Sequence, residues 1–128
     1  RSDDKENMPR GYLGQIEKGK KYLDRGEANT ALTFFFKAHM ANPSSTKPLM
    51  LLATTYNRLG SPASAIVYFR KVLALNSKHL GALYGIGMAH LRNGNKGSAA
   101  KFFAKYLQIS PNGGKAKQIK AKLQAMGL

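Results

Sequence analysis

Carboxylate side chains, which serve enzymes as acids, bases and metal ligands, are confined to the first 27 of the 128 residues. They are Asp3, Asp4, Glu6, Glu17, Asp24 and Glu27. From Ala28 to Leu128 the chain has 14 lysines and arginines and no carboxylate side chain. Neither a pair of catalytic carboxylates nor a Ser/His/Asp triad can be built from that span. Its surface should instead attract acidic partners, with an affinity that falls as salt is added.

Other residues that support catalysis or bind metal ions are few and scattered. The absence of cysteine excludes disulfides, thiolate metal sites and a cysteine nucleophile. The three histidines, His39, His79 and His90, do not cluster as metal ligands do. The glycines of "GALYGIGMAH" follow no predicted strand, so this stretch is not a phosphate-binding loop. We therefore expect a protein that is not an enzyme and that uses no metal ion or other cofactor.

Length and composition favour one folded domain, because 43% of the residues are hydrophobic and can form a single core. No apolar run approaches the ~18 residues of a membrane span, and no signal peptide is visible. We interpret the polar opening "RSDDKEN", which starts at Arg1, as a linker in a fragment or a processed form of a longer protein. We expect a cytoplasmic location, with a periplasmic or secreted protein as the alternatives.

Residue types recur at intervals of 34 residues over three consecutive units, and this repeat organises the chain. In each unit, a helix with a small residue and an aromatic three positions later ends at a glycine, which tolerates a positive φ. A second helix then carries an alanine and, four residues later, a phenylalanine, and ends near a proline or serine. The aligned columns are Gly19/Ala53/Gly87, Tyr22/Tyr56/His90, Gly26/Gly60/Gly94, Ala31/Ala65/Ala99, Phe35/Phe69/Phe103 and Pro43/Ser77/Pro111.

This order of residues resembles the tetratricopeptide repeat (TPR). The resemblance covers residues 12–111, with repeats at about 12–44, 45–78 and 79–112, and leaves residues 1–11 as a linker. It implies an all-α fold, a right-handed superhelical solenoid of helix–turn–helix repeats with about seven helices. The polar residues Gln15 and Lys18 depart from the pattern in a way that suits a first repeat with no preceding neighbour.

Residues 113–128 are predicted to form the last helix. Ala116, Ile119, Leu123 and Met126 form one apolar stripe, and the lysines of this segment lie off it. We interpret this helix as the cap that covers the last repeat of a solenoid. A helix lying on a membrane surface is the alternative.

Three consecutive phenylalanines, Phe34 to Phe36, cannot share one helical face, because neighbouring residues lie ~100° apart. Phe35 belongs to the phenylalanine column. Phe34 has an aromatic residue at the equivalent place in both later repeats and is predicted to pack between adjacent repeats. Phe36 aligns with Arg70 and Ala104, which leaves it without a column. It is covered by the N-terminal segment, exposed at the end of the array, or an interface to another domain or subunit.

The resemblance also implies a concave groove lined by the first helix of each repeat. Methionine and apolar anchors with basic edges favour an acidic, amphipathic segment of a partner protein, helical or extended. Gly81 and Gly85 are predicted to leave the groove floor shallow. The groove residues expected from the register are Ile16, Lys20, Leu23, Lys47, Met50, Thr54, Asn57, Arg58, Tyr84, Met88, Leu91 and Arg92.

Some members of the family hold the C-terminal carboxylate of a chaperone peptide with lysine, asparagine and arginine side chains from three repeats. The corresponding positions here are occupied by Ile16, Lys20, Leu51, Gly81 and Gly85. This class of ligand is therefore not expected.

The leading hypothesis is a protein–protein interaction module, an adaptor or scaffold domain of a larger protein. Lys37, Lys71 and Lys105 align on the second helices, so nucleic-acid or other polyanion binding through a basic outer surface is the alternative. A third hypothesis is weak self-association, through Phe36 and the N-terminal segment or by end-to-end stacking.

Overall fold

The computed structural model describes residues 11–128, which form seven α-helices and no β-strand. The prediction of an all-α fold with about seven helices is confirmed. The predicted linker lies outside the described residues, apart from Gly11. The helices are α1 (Tyr12–Asp24), α2 (Ala28–Ala41), α3 (Thr46–Arg58), α4 (Pro62–Leu75), α5 (Leu80–Arg92), α6 (Lys96–Ile109) and α7 (Ala116–Ala125).

A glycine turn joins the two helices of each repeat. Gly26, Gly60 and Gly94 have φ values of 80°, 74° and 82°, a conformation that costs glycine little. In the first turn the Gly26 N–H donates to the carbonyl of Leu23 (3.0 Å), and the next N–H donates to the carbonyl of Tyr22 (2.8 Å). The same two hydrogen bonds recur in the other two turns. They satisfy carbonyls at the helix end, which confirms these glycines as the ends of the first helices.

The helices pack in chain order, each against the next. In addition, the first helices α3 and α5 contact each other, whereas α4 and α6, the second helices of the same two repeats, make no comparable contact. The described array therefore curves with its first helices on the inner side and its second helices on the outer side. These two sides are called the inner and outer sides below.

The alanine and phenylalanine columns form the core, and all six side chains are at most 1% exposed. A Cβ atom added to Gly19 or Gly87 would lie 2.6 Å from Cδ1 of the phenylalanine in the same repeat. In the second repeat the equivalent small residue is Ala53, which shares a core cluster with Phe69. The Phe69 ring also lies against Gly85 of the next repeat, where an added Cβ would be 2.5 Å from its Cε1. The prediction that Gly85 leaves the groove floor shallow is therefore wrong, because Gly85 faces the buried Phe69 ring.

The aromatic columns pair within each repeat as parallel stacks. The rings of Tyr22 and Phe34 lie 5.3 Å apart at 5°. The corresponding pairs in the second and third repeats lie 5.5 Å and 5.6 Å apart, at 8° and 6°. Phe34 thus packs inside its own repeat, and the prediction that it packs between repeats is wrong. The residue that crosses the first boundary is Phe36, whose ring meets Tyr68 edge-on at 5.7 Å and 68°.

Phe36 is therefore half-buried within the array. The possible interface of Phe36 with another domain or subunit stays a prediction.

Helix α7 covers the last repeat with the predicted stripe. Ala116 and Ile119 are 3% and 0% exposed, and Leu123 and Met126 are half-buried against the same cluster. The Tyr106 hydroxyl accepts a hydrogen bond from the Lys115 backbone N–H (3.0 Å), which fixes the loop that leads into α7. The predicted capping helix is confirmed, and its apolar stripe is already occupied by the protein core.

Within residues 11–128, no helix combines the length and the apolar character needed to cross a bilayer. The same residues bring together no group of three or more histidine, cysteine, aspartate or glutamate side chains suited to a metal ion.

Candidate functional site

Exposed cations line the first helices of the second and third repeats. Lys47 lies in the first turn of α3, and Arg58 and Arg92 are the last residues of α3 and α5. Residues 28–128 contain no carboxylate side chain, so neither repeat offers these groups an acidic partner. In α1, Lys20 is also exposed, but the position equivalent to the two arginines is Asp24. The first helices of the second and third repeats therefore carry cations without acids, whereas α1 carries both.

Half-buried apolar side chains lie on the same helices. Met50 packs against the core cluster of the first two repeats, and Tyr84, Met88 and Leu91 pack against the cluster of the third. The Met50 methyl group lies 3.3 Å from the place that a Cβ on Gly81 would occupy. Because Gly81 is exposed and has no side chain, it adds no projecting group to the inner side at the point where α3 meets α5.

Two polar side chains of α3 belong to the predicted groove. The Thr54 hydroxyl donates to the carbonyl of Met50 (3.0 Å), so its hydrogen is used within its own helix. Asn57 is half-buried, and its Oδ1 accepts no hydrogen bond from the described part of the chain. Buried amide oxygens are normally paired, whereas within residues 11–128 the Asn57 Oδ1 is an unpaired acceptor that is shielded from solvent and from a ligand on the surface.

One predicted groove residue, Ile16, is a core residue in the structure, and a second, Leu23, is half-buried. Ile16 is only 3% exposed and clusters with Tyr12 and Ala38, with Leu51 packed against the cluster. Its prediction as a groove residue is wrong, because the neighbouring helices enclose its side chain. Leu23 is half-buried against the core cluster, so it offers a ligand only part of its surface.

The sequence analysis missed Lys115, which belongs to the loop before α7. Its ammonium group lies 5.0 Å from the centroid of the Tyr84 ring and adds a cation beside the apolar part of the inner side. The sequence pattern placed Lys115 only as a residue off the stripe of the cap. Its contact with α5 depends on how residues 110–115 fold back over the third repeat, and no local spacing signals that path.

The perturbed titratable groups lie in the aromatic stacks. Burial lowers the pKa of His90, and the nearby charge of Arg70 lowers it further. Burial raises the pKa of Tyr68, with a smaller contribution from Tyr56. His90 is 5% exposed and stacked on Phe102, so it acts as a neutral aromatic core residue.

A family profile described as the tetratricopeptide repeat matches residues 50–114, half of the chain. The chain belongs to the tetratricopeptide repeat family. Its TPR sequence is 36% identical over 73 residues to superkiller complex protein 3 of Mus musculus and 34% identical over 73 residues to tetratricopeptide repeat protein 37 of Xenopus laevis. Each match covers 57% of this chain and 5% of the relative, so the TPR chain matches only a small part of those proteins.

Solved TPR domains share the fold over almost the whole chain. The first TPR domain of human RPAP3 has a TM-score of 0.82 and 27% identity, covering 93% of this chain and 94% of that one. The first TPR of Spaghetti (RPAP3), solved with the HSP90 peptide SRMEEVD, has a TM-score of 0.82 and 26% identity, covering 94% and 96%. MamA has a TM-score of 0.80 at 23% identity, covering 98% and 74%, which shows the fold alone. Structural relatives of this TPR domain therefore include peptide-binding modules of protein–protein interaction.

Proposed function

We propose that this TPR domain is a non-catalytic interaction module whose inner side binds an acidic, amphipathic segment of a partner protein. One observation carries the proposal. The first helices of the second and third repeats combine half-buried apolar side chains with the exposed cations Lys47, Arg58 and Arg92, and those repeats contain no carboxylate side chain. The partner supplies the missing acids.

The residue types define the partner segment. The guanidinium groups of Arg58 and Arg92 can each hold a carboxylate through two parallel hydrogen bonds. On the same two helices, Met50 and Met88 offer flexible, polarisable side chains that adapt to different apolar groups. A segment with acids on one side and apolar residues on the other satisfies both features.

The HSP90 peptide bound by the Spaghetti TPR is acidic, which supports an acidic peptide as the ligand class. The means of binding must differ here. Of the five positions that hold a C-terminal carboxylate in some family members, only Lys20 carries a charge. Ile16 is buried and Gly85 lies against Phe69. The ligand is therefore held through its side-chain carboxylates, and a free C-terminus is not required.

The test is a selection of acidic peptides with amidated C-termini from a display library, followed by fluorescence anisotropy with the best binder. A charge-assisted hydrogen bond contributes about 1.5–3 kcal/mol, so Arg58→Gln combined with Arg92→Gln should weaken binding by about 100-fold or more. The matched control, Lys37→Gln with Lys71→Gln, removes the same charge from the outer side and should change the affinity by less than about threefold.

The peptide SRMEEVD should bind no better than a scrambled peptide of the same composition. Equal losses in the two double variants would contradict binding at the inner side. Preferential capture of SRMEEVD through its free carboxylate would contradict the proposed means of binding.

A further inference from the structure

The second helices carry a feature that the inner side does not explain. In each repeat an exposed lysine is followed, within one helical turn, by an exposed large aliphatic side chain. The pairs are Lys37 with Met40, Lys71 with Leu75, and Lys105 with Ile109. Met40, Leu75 and Ile109 are 77%, 46% and 37% exposed. These six residues are called the outer strip.

The residues of each pair lie on the same side of their helix, because residues three or four apart are neighbours on a helix surface. The helices α2, α4 and α6 are the second helices of consecutive repeats, so the pairs recur along the outer side. Exposed Arg70, Lys101 and Val67 belong to the same helices and add to both the charge and the apolar surface.

A solvated basic face explains the lysines but leaves the aliphatic side chains without a role. The outer strip holds three of the seven large hydrophobic residues that are exposed within residues 11–128. The strip has no acidic side chain of its own, since residues 28–128 have none. It therefore combines uncompensated positive charge with apolar groups that project into solvent.

We propose that the outer strip binds the surface of an anionic lipid bilayer. The lysine ammonium groups contact headgroup phosphates, and the methionine, leucine and isoleucine side chains enter the boundary with the acyl chains. This binding is independent of the proposed peptide site, because the two use opposite sides of the array. A peptide and a membrane surface can thus be held at the same time.

A bilayer accounts for the strip better than a nucleic acid does. Phosphate backbones are bound by cations and polar groups, and such a contact would gain little from Met40, Leu75 or Ile109. Binding of single strands relies on aromatic rings that are free to stack on bases. The rings on the second helices are already engaged, since Phe34 and its two equivalents stack inside their own repeats.

The first test is co-sedimentation of the chain with vesicles of phosphatidylcholine, with and without phosphatidylglycerol. Binding should require the anionic lipid. A lysine near an anionic surface contributes about 1 kcal/mol, or roughly fivefold. Replacing all three strip lysines by glutamine should therefore lower the partition coefficient about 100-fold. The matched control, Lys47→Gln with Arg58→Gln and Arg92→Gln, has the same net charge as the strip variant. Its partition coefficient should fall by less than about tenfold.

The second test separates a lipid bilayer from any other polyanion. The triple variant Met40→Ser, Leu75→Ser and Ile109→Ser keeps every charge and should lower vesicle binding by about tenfold or more, because the aliphatic groups no longer enter the bilayer. The control triple, Leu13→Ser, Leu59→Ser and Leu128→Ser, removes equally exposed side chains elsewhere and should bind as the parent does. Circular dichroism checks that each variant is folded.

Three results would overturn the proposal. One is failure of the parent chain to bind anionic vesicles. Another is equal loss of binding in the strip and control charge variants. The third is full vesicle binding by the Met40/Leu75/Ile109 serine variant together with displacement of the vesicles by a DNA duplex, which would make the strip a phosphate-binding surface of general specificity.

Discussion

Replacing Gly87 by alanine tests how closely the phenylalanine column is packed. The new Cβ would lie 2.6 Å from Cδ1 and 3.0 Å from Cζ of Phe103, whose side chain is 0% exposed and cannot swing into solvent. Carbon atoms pack best at about 3.5–4.0 Å, so the ring must move by roughly 1 Å. Overpacking of this kind costs about 1–3 kcal/mol, while the better helix propensity of alanine returns about 1 kcal/mol. We expect a net loss of stability of up to about 2 kcal/mol.

The control is Gly97→Ala in α6, where an added Cβ meets no atom within 4 Å. Only the helix propensity acts there, so this variant should gain up to about 1 kcal/mol. Urea unfolding followed by circular dichroism measures the free energy of unfolding of both variants. In thermal unfolding, their melting temperatures should differ by about 4 °C for each kcal/mol. Adding Phe103→Leu should relieve the strain of Gly87→Ala, giving a coupling of about 1 kcal/mol in a double-mutant cycle. Equal changes in the two glycine variants, with no coupling, would refute the packing argument.

Three further substitutions test other contacts. The pKa of folded His90 lies below the ordinary 6.5. Its contribution to the free energy of unfolding is therefore full above pH 6.5 and declines as the pH falls through the folded pKa. His90→Tyr should remove this decline, which urea midpoints measured at pH values on both sides of 6.5 would show. Phe36→Ala removes the edge contact with Tyr68 and should cost about 2 kcal/mol without changing the sedimentation coefficient, whereas a shift in oligomeric state would support the interface hypothesis. Ile119→Ala in the buried stripe of α7 should cost about 2–4 kcal/mol; thermal unfolding measures this, and a loss below ~1 kcal/mol would argue against α7 as a cap.

The sequence predicted the helices and turns well because each column of the repeat has a local physical cause. A glycine at positive φ, such as Gly60, ends a helix whatever lies around it. A small residue followed by a large one at helical spacing, such as Ala65 and Phe69, predicts a close helix contact. These signals act within a few residues, so they can be read from the sequence alone.

The errors concern contacts between different repeats. Alignment shows that Phe34 and Tyr68 are equivalent, but it does not show which neighbour each ring meets. The register likewise placed Gly85 on the groove floor, although the second repeat directs Phe69 at that position. Lys115 reaches Tyr84 only because the last loop folds back. All three depend on the distance between helices, which one sequence does not encode locally.

The groove prediction was most useful for charge and least useful for depth. Exposure of Lys47, Arg58 and Arg92 follows from the dominant cost of burying a charge, so it could be expected at any surface register. The burial of Ile16 depends on how Leu51 and Ala38 close around it. These two residues come from α3 and α2, so the burial of Ile16 depends on a packing of three helices that no local spacing signals.

The crossing of Phe69 into the third repeat should govern how the domain opens under native conditions. At the first boundary the crossing ring is Phe36, which is only half-buried, so separating α1 and α2 from the rest breaks a less buried contact. Opening α5 uncovers Phe69 as well, which links the second repeat to the third. Backbone amides of α3 to α6 should then exchange their hydrogens with solvent as one cooperative unit, while those of α1 and α2 exchange earlier.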